Sequence, residues 1–189
     1  MSRHIGYLFI APAFVILFFT SIYPVAFSFY FSFFDWNWGN QENFIGLDNY
    51  LFLLTDPEFW TVIYNTFVFA SVSCFLEVTI GIILAIFVDR IVFCSTVIRT
   101  ILILPLMVSG IIVSMISKIM FNNLFGVIPY GLKQIDIRSS FFGSTEAAMP
   151  TLIGVDVWWQ TSFVFIIILA ALQGIPNDTV EAAKIDGAS

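Results

Sequence analysis

Four long apolar runs dominate the pattern of the chain: Ile5 to Phe34, Trp60 to Val88, Thr96 to Phe121 and Pro150 to Leu172. Each reaches the roughly 20 residues that a helix needs to cross about 30 Å of hydrocarbon. None alternates with the period of two expected of a barrel strand, and lipid offers an open strand edge no hydrogen-bond partner. The runs therefore predict an all-α fold, a polytopic bundle of transmembrane helices. Polar stretches separate them: Asp35 to Phe59, Asp89 to Ser95, Asn122 to Met149, and a tail over residues 173–189. The first run is longer than the apolar core of a signal peptide and lacks a small-x-small cleavage site before a polar region, so it predicts an uncleaved anchor.

Composition points the same way. Of 189 residues, 59% are hydrophobic and 11% charged, and 23 are Phe; a soluble domain carries about 25% charged residues. The partner implied first is membrane lipid. The formal charge of -6 is unevenly spread, because Asp35, Glu42, Asp48, Asp56 and Glu58 share one segment with no Lys or Arg. No basic patch exists to neutralise a run of phosphates, which excludes nucleic-acid binding. Cys74 and Cys94 have no second Cys or His at ligand spacing, so neither a redox nor a metal role is assigned, and His4 falls at the solvated N-terminus.

Placing the N-terminus in the cytoplasm puts Arg3, Arg90, Arg99 and Lys184 inside and Lys133 and Arg138 outside, the bias expected of spanning proteins. The tail then faces the cytoplasm, and the two longer polar segments face outward. Pro24 and Pro105 each remove a backbone donor and predict kinks. Pro105, followed by Gly110, reads either as ordinary bundle packing or as a point of bending.

Ionisable groups inside the runs cost about 2.5 to 3.5 kcal/mol each unless paired or wet. They are Glu77, Lys118 and Asp156. Depth, counted at about 1.5 Å per residue, favours Lys118 with Asp156 over Lys118 with Glu77; the alternative is Lys118 snorkelling to the outer interface. The densest polar and aromatic cluster is Asp156-Val157-Trp158-Trp159-Gln160-Thr161-Ser162. Helical spacing puts Asp156, Trp159, Gln160 and Phe163 on one side. Hydroxyls need donors and acceptors, and the apolar face of a pyranose lies well against indole, so this side suits a sugar. Equally, Trp158 and Trp159 suit an aromatic belt at the headgroups.

In the tail, Pro176 separates a short helix from the last run. Asp178 is placed to cap that helix, with Glu181 three residues later completing a capping-box-like pair. Gly187 can end it in a left-handed conformation, and Ala182 and Ala183 permit close approach by a partner.

The sequence Glu181-Ala182-Ala183-x-x-Asp186-Gly187-Ala188 resembles the cytoplasmic EAA loop of binding-protein-dependent ABC importer permeases. The lead-in Leu169-Ala170-Ala171-Leu172-Gln173-Gly174-Ile175-Pro176 is similar to that of the maltose-type carbohydrate branch. Further matches are Phe44-Ile45-Gly46-Leu47-Asp48-Asn49-Tyr50, Phe59-Trp60 with Asn65-Thr66, Leu104-Pro105 after Arg99, and Asp156-x-Trp158. The resemblance implies a permease subunit of the plasma membrane of a bacterium or archaeon, with an ATP-driven import role. It implies Glu181, Ala182, Ala183, Asp186 and Gly187 as the contact with a separate ABC ATPase. It further implies a second permease subunit and an extracytoplasmic substrate-binding protein. The family's loop leads into two more spanning helices, so the chain resembles the N-terminal two-thirds of a permease, four spans of an expected six. The chain has no phosphate-cradling Gly-rich loop with Lys-Ser/Thr. ATP is thus expected on the partner and no cofactor or metal on this chain. The candidates for the solute path are Glu77, Asp156, Trp159 and Gln160. Two other readings remain open at this point, an ion-coupled transporter using Glu77 and a membrane-embedded enzyme using Glu77 or Asp156. The enzyme reading lacks a nucleophile-base or metal constellation, so no catalytic residue is assigned.

Overall fold

The computed structural model describes residues 3–37, 43–91, 95–135 and 140–187. Glu42, Cys94, Arg138 and Ala188 lie outside the described residues, as do the side chains of Arg3 and His4. Among the described residues the fold is helical except for one two-stranded pairing. Three helical spans among the described residues are long and apolar enough to cross a membrane, or four if a pair of helices bent at 92° counts as one span. The chain divides into two compact units, residues 1–64 and 65–189.

In the first unit, α1 (Arg3–Leu17) passes through a π-turn (Phe18–Ile22) into α2 (Tyr23–Phe31). Pro24 explains the turn. Its nitrogen cannot donate to Thr20, so the backbone widens one turn and Tyr23 N–H reaches back to the Phe18 carbonyl. The expected kink at Pro24 thus takes the form of a π-turn preceding it. Beyond α2, the segment read as a plain loop from Asp35 to Phe59 contains structure of its own. Strands β1 (Phe34–Asp35) and β2 (Asn43–Phe44) pair antiparallel, Phe34 opposite Phe44. Helix α3 (Asp48–Thr55) follows a turn at Gly46, whose φ of 62° is left-handed.

The start of α3 grips the end of α2. The Asn49 amide donates to the carbonyls of Ser32 at 2.9 Å and Phe34 at 3.2 Å, and the Tyr50 hydroxyl lies 2.6 Å from Ser32 Oγ. The Phe44 to Tyr50 stretch is therefore a structural clip. Helix α4 (Pro57–Arg90) then begins with the Asp56 carboxylate accepting from Glu58 N–H at 2.9 Å. Its 34 residues rise about 51 Å, more than the hydrocarbon thickness.

In the second unit, α4 continues and is followed by α5 (Ser95–Ile103), a 3₁₀ turn (Leu104–Met107), α6 (Gly110–Met120) and α7 (Val127–Lys133). Then come α8 (Thr145–Gln173) and α9 (Asn177–Ile185). The buried core lies where α4 and α8 meet, at Ala85, Val88, Phe165 and Leu169, with Ile98, Leu102 and Ile103 of α5 packed on it. Small residues permit that approach. A Cβ added at Gly81 would come 2.6 Å from Val164 Cγ1.

The apolar run Thr96 to Phe121 is not one straight helix. Its two halves meet at 92°. Pro105 removes a donor, and Val108 (ψ 130°) and Ser109 (ψ 140°) are extended, so helical bonding stops and restarts at Gly110. The last spanning helix begins at Thr145, five residues before Pro150, because Ser144 Oγ accepts from Ala147 N–H at 3.2 Å.

Candidate functional site

Two regions of the second unit carry chemistry: the polar middle of α4 and α8, and the tail. On α4, Ser73, Glu77, Gly81 and Ala85 follow at four-residue spacing and share one face. On α8, Asp156 and Gln160 are one turn apart, both half-buried. The Glu77 carboxyl lies within hydrogen-bonding reach of the Asp156 carboxyl. Glu77 Oε1, Ser73 Oγ and Thr161 Oγ1 are buried without a protein partner. This is a set of acceptors and hydroxyls with bonding capacity to spare, held inside two spanning helices.

The sequence favoured Lys118 as the neighbour of Asp156, and the structure does not bring them together. Lys118 is exposed in the last turn of α6, on the far side of the 92° break, while Glu77 is delivered by direct packing of α4 on α8. Depth along a straight span could not anticipate a run that turns through a right angle.

Trp159 occupies that break. Its indole N–H donates to the Val108 carbonyl at 3.1 Å, and its ring covers Gly110, where an added Cβ would meet Trp159 Cη2 at 2.8 Å. Backbone groups freed by a bend are costly in lipid, and Trp159 satisfies the Val108 carbonyl. Its donor is thereby committed to the backbone. Trp158 is exposed and lines two cavities, one with Val108 and one with Pro105. A cavity of about 780 Å³ is lined by Val108, Ile116, Met120, Phe121, Pro150 and Trp158 among others, with no carboxyl group. A smaller one, about 370 Å³, lies beside Pro105 and includes Thr161 and Ser162. Among the described residues, no group of three or more His, Cys, Asp or Glu is arranged to hold a metal.

In the tail, α8 ends at Gln173 with Gly174 as its cap, and Pro176 starts α9. Asp178 is the second residue of α9 and does not cap it; the capping position is Pro176, whose carbonyl accepts from Thr179 N–H at 3.1 Å. The carboxylate still lies in the first turn, where the helix dipole favours it. Gly187 has φ of 90° and ends the helix, as its sequence position suggested. Glu181, Ala182, Ala183, Asp186 and Gly187 are all exposed.

Sequence reasoning missed a further contact. Arg99 of α5 and Gln173 of α8 meet, the Gln173 oxygen accepting from Nη1 at 3.2 Å and Nη2 at 2.7 Å. A guanidinium has only donors, which fixes the orientation of the amide. The available signal was Arg99 itself, a charge inside the run Thr96 to Phe121 that was not counted with Glu77, Lys118 and Asp156.

A family model described as "Binding-protein-dependent transport system inner membrane component" matches residues 77–189. The chain is 34% identical over 184 residues to the "Probable ABC transporter permease protein y4oQ" of Sinorhizobium fredii, across 96% of this chain and 60% of that one. It is 35% identical over 183 residues to the "Probable starch degradation products transport system permease protein AmyD" of Thermoanaerobacterium thermosulfurigenes, across 97% and 62%. The chain thus spans about three-fifths of the length of these curated relatives. A chain in the crystal structure of a bacterial ABC transporter involved in the import of the acidic polysaccharide alginate shares the fold, with a TM-score of 0.81, 24% identity, and coverage of 98% of this chain and 63% of that one. At that identity the likeness speaks for the fold alone.

Proposed function

Since the chain belongs to the family of binding-protein-dependent transport system inner membrane components, a family of multi-pass membrane proteins, we propose that it is a permease subunit of an ATP-driven importer, with a carbohydrate as its solute. In this reading the N-terminus is cytoplasmic and a second permease subunit completes the path. An extracytoplasmic binding protein delivers the solute, and a separate ATPase binds and hydrolyses ATP. The observation that carries it is α9, a nine-residue helix set off from a spanning helix by Gly174 and Pro176, with Glu181 to Gly187 exposed. A helix so placed can be gripped from the cytoplasm. The relative whose name refers to starch degradation products supports the solute class.

The mechanism follows from differential binding. ATP-driven closure of the partner would have to favour one arrangement of the spanning helices by a few kcal/mol to shift populations decisively. Force applied to Glu181, Ala182, Ala183, Asp186 and Gly187 enters the membrane through the end of α8. On the solute path, Asp156 and Gln160 offer acceptors and an amide, Glu77 an unpartnered oxygen, and Trp159 the face of its ring. To test this, Glu181→Ala and Gly187→Val would be introduced into the assembled transporter, and ATPase co-purification and sugar uptake measured. Loss of both is expected; wild-type values for both would remove the coupling role.

A further inference from the structure

α9 is joined to α8 by three residues, and α8 ends on Gln173. Any displacement of α9 is therefore felt first there. Gln173 is held by Arg99, through both terminal guanidinium nitrogens. Arg99 is half-buried in the middle of α5, between Ile98 and Leu102, which pack on the Phe165 and Leu169 core. Four residues after Arg99, α5 gives way to the 3₁₀ turn at Leu104 and so to the 92° break. The contacts of Ile98, Leu102 and Ile103 with the core are apolar and tolerate sliding. A forked guanidinium on one amide oxygen does not, because its direction is fixed. Arg99 Nε is buried without a partner, so its stem is held by packing while its tips hold Gln173.

We propose that Arg99 and Gln173 form a clasp that carries motion of α9 into α5, through the turn Leu104–Met107 and so to the break at Val108 and Ser109, which Trp159 covers. Both are positioning residues; neither touches the solute. The proposal rests on the permease reading above. A double-mutant cycle measures the coupling between the two side chains.

The experiment uses the assembled transporter in liposomes with its ATPase and solute-loaded binding protein. Arg99→Lys keeps the charge and loses the fork; Gln173→Ala removes the acceptor from an exposed position and leaves the core intact. Each is expected to preserve assembly and basal ATP hydrolysis while lowering solute-stimulated hydrolysis about fivefold or more. The double variant should lose no more than either single one, and Gln173→Glu, which keeps an oxygen toward the guanidinium, should retain stimulation. If Arg99→Lys fails to assemble, Gln173→Ala and Gln173→Glu decide the matter. Wild-type stimulation in Gln173→Ala, or losses that multiply in the double variant, would overturn the clasp. A wild-type transporter showing no solute-stimulated hydrolysis would instead overturn the permease reading, and the clasp with it.

Discussion

Trp159 closes the helix break from the neighbouring helix: its indole nitrogen stands 3.1 Å from the Val108 carbonyl, and its six-membered ring lies over Gly110. One aromatic side chain thus supplies the hydrogen bond that the bend removes and fills the space that the glycine leaves.

Trp159→Phe keeps a ring and deletes the donor. The Val108 carbonyl then lacks a partner in a low-dielectric setting, which costs about 1 to 3 kcal/mol. Gly110→Ala attacks the same contact from the other side, because its Cβ would fall 2.8 Å from Trp159 Cη2. Both variants should melt below wild type in lipid nanodiscs, and the two losses together should be less than their sum. Additive losses would mean that the ring and the glycine act separately.

Gly81 tests the approach of α4 to α8. An added methyl would meet Val164 Cγ1 at 2.6 Å, Val164 Cβ at 2.8 Å and the backbone nitrogen of Phe165 at 3.3 Å. The last of these is backbone and cannot rotate away. Gly81→Ala should destabilise by about 1 to 3 kcal/mol through overpacking, despite the better helix propensity of alanine. A thermal melt equal to or above wild type would show that the helices separate freely at this level.

Asn49 makes a prediction confined to the first unit. Its amide is shared by the carbonyls that end α2 and begin β1, at 2.9 and 3.2 Å. Asn49→Ala should loosen the hairpin while leaving the spanning helices formed, at a cost of about 1 kcal/mol per bond. Hydrogen exchange at Ile45, whose N–H donates to the Phe33 carbonyl at 2.9 Å, should accelerate. Unchanged exchange there would remove the clip.

The spanning segments were legible because apolar length is a one-dimensional property: α4 and α8 cover the runs read from Trp60 and Pro150, starting earlier and ending at Arg90 and Gln173, close to the Val88 and Leu172 expected. Those starts moved for local reasons, the Asp56 and Ser144 side chains accepting backbone N–H groups upstream of the apolar residues. Gly187 was legible too, since a glycine after a short helix needs no tertiary context. What the pattern could not reach was pairing in three dimensions. Pro105 announces a kink in any helix, yet only Val108 and Ser109 in extended conformation make it a 92° turn. Arg99 with Gln173, and Glu77 with Asp156, lie 74 and 79 residues apart, by subtraction of their positions, and no local rule joins them.

The pairing at Glu77 gives the sharpest contrast between depth counting and packing. A carboxylate only accepts hydrogen bonds, so two of them side by side cannot satisfy each other without a proton between them, whereas a carboxamide brings two donors of its own. Glu77→Gln should therefore hold Asp156 at least as well as glutamate does, raising the melting temperature by the equivalent of about 1 kcal/mol. Glu77→Leu should lower it, since Asp156 then faces a group that can neither donate nor be hydrated. Lys118→Met separates the two arrangements. With Lys118 exposed at the end of α6, its loss should leave the melt unchanged, whereas a lysine paired to Asp156 would leave a buried charge behind and drop it by several degrees. A large effect at Lys118 with none at Glu77 would restore the pairing that depth alone suggested.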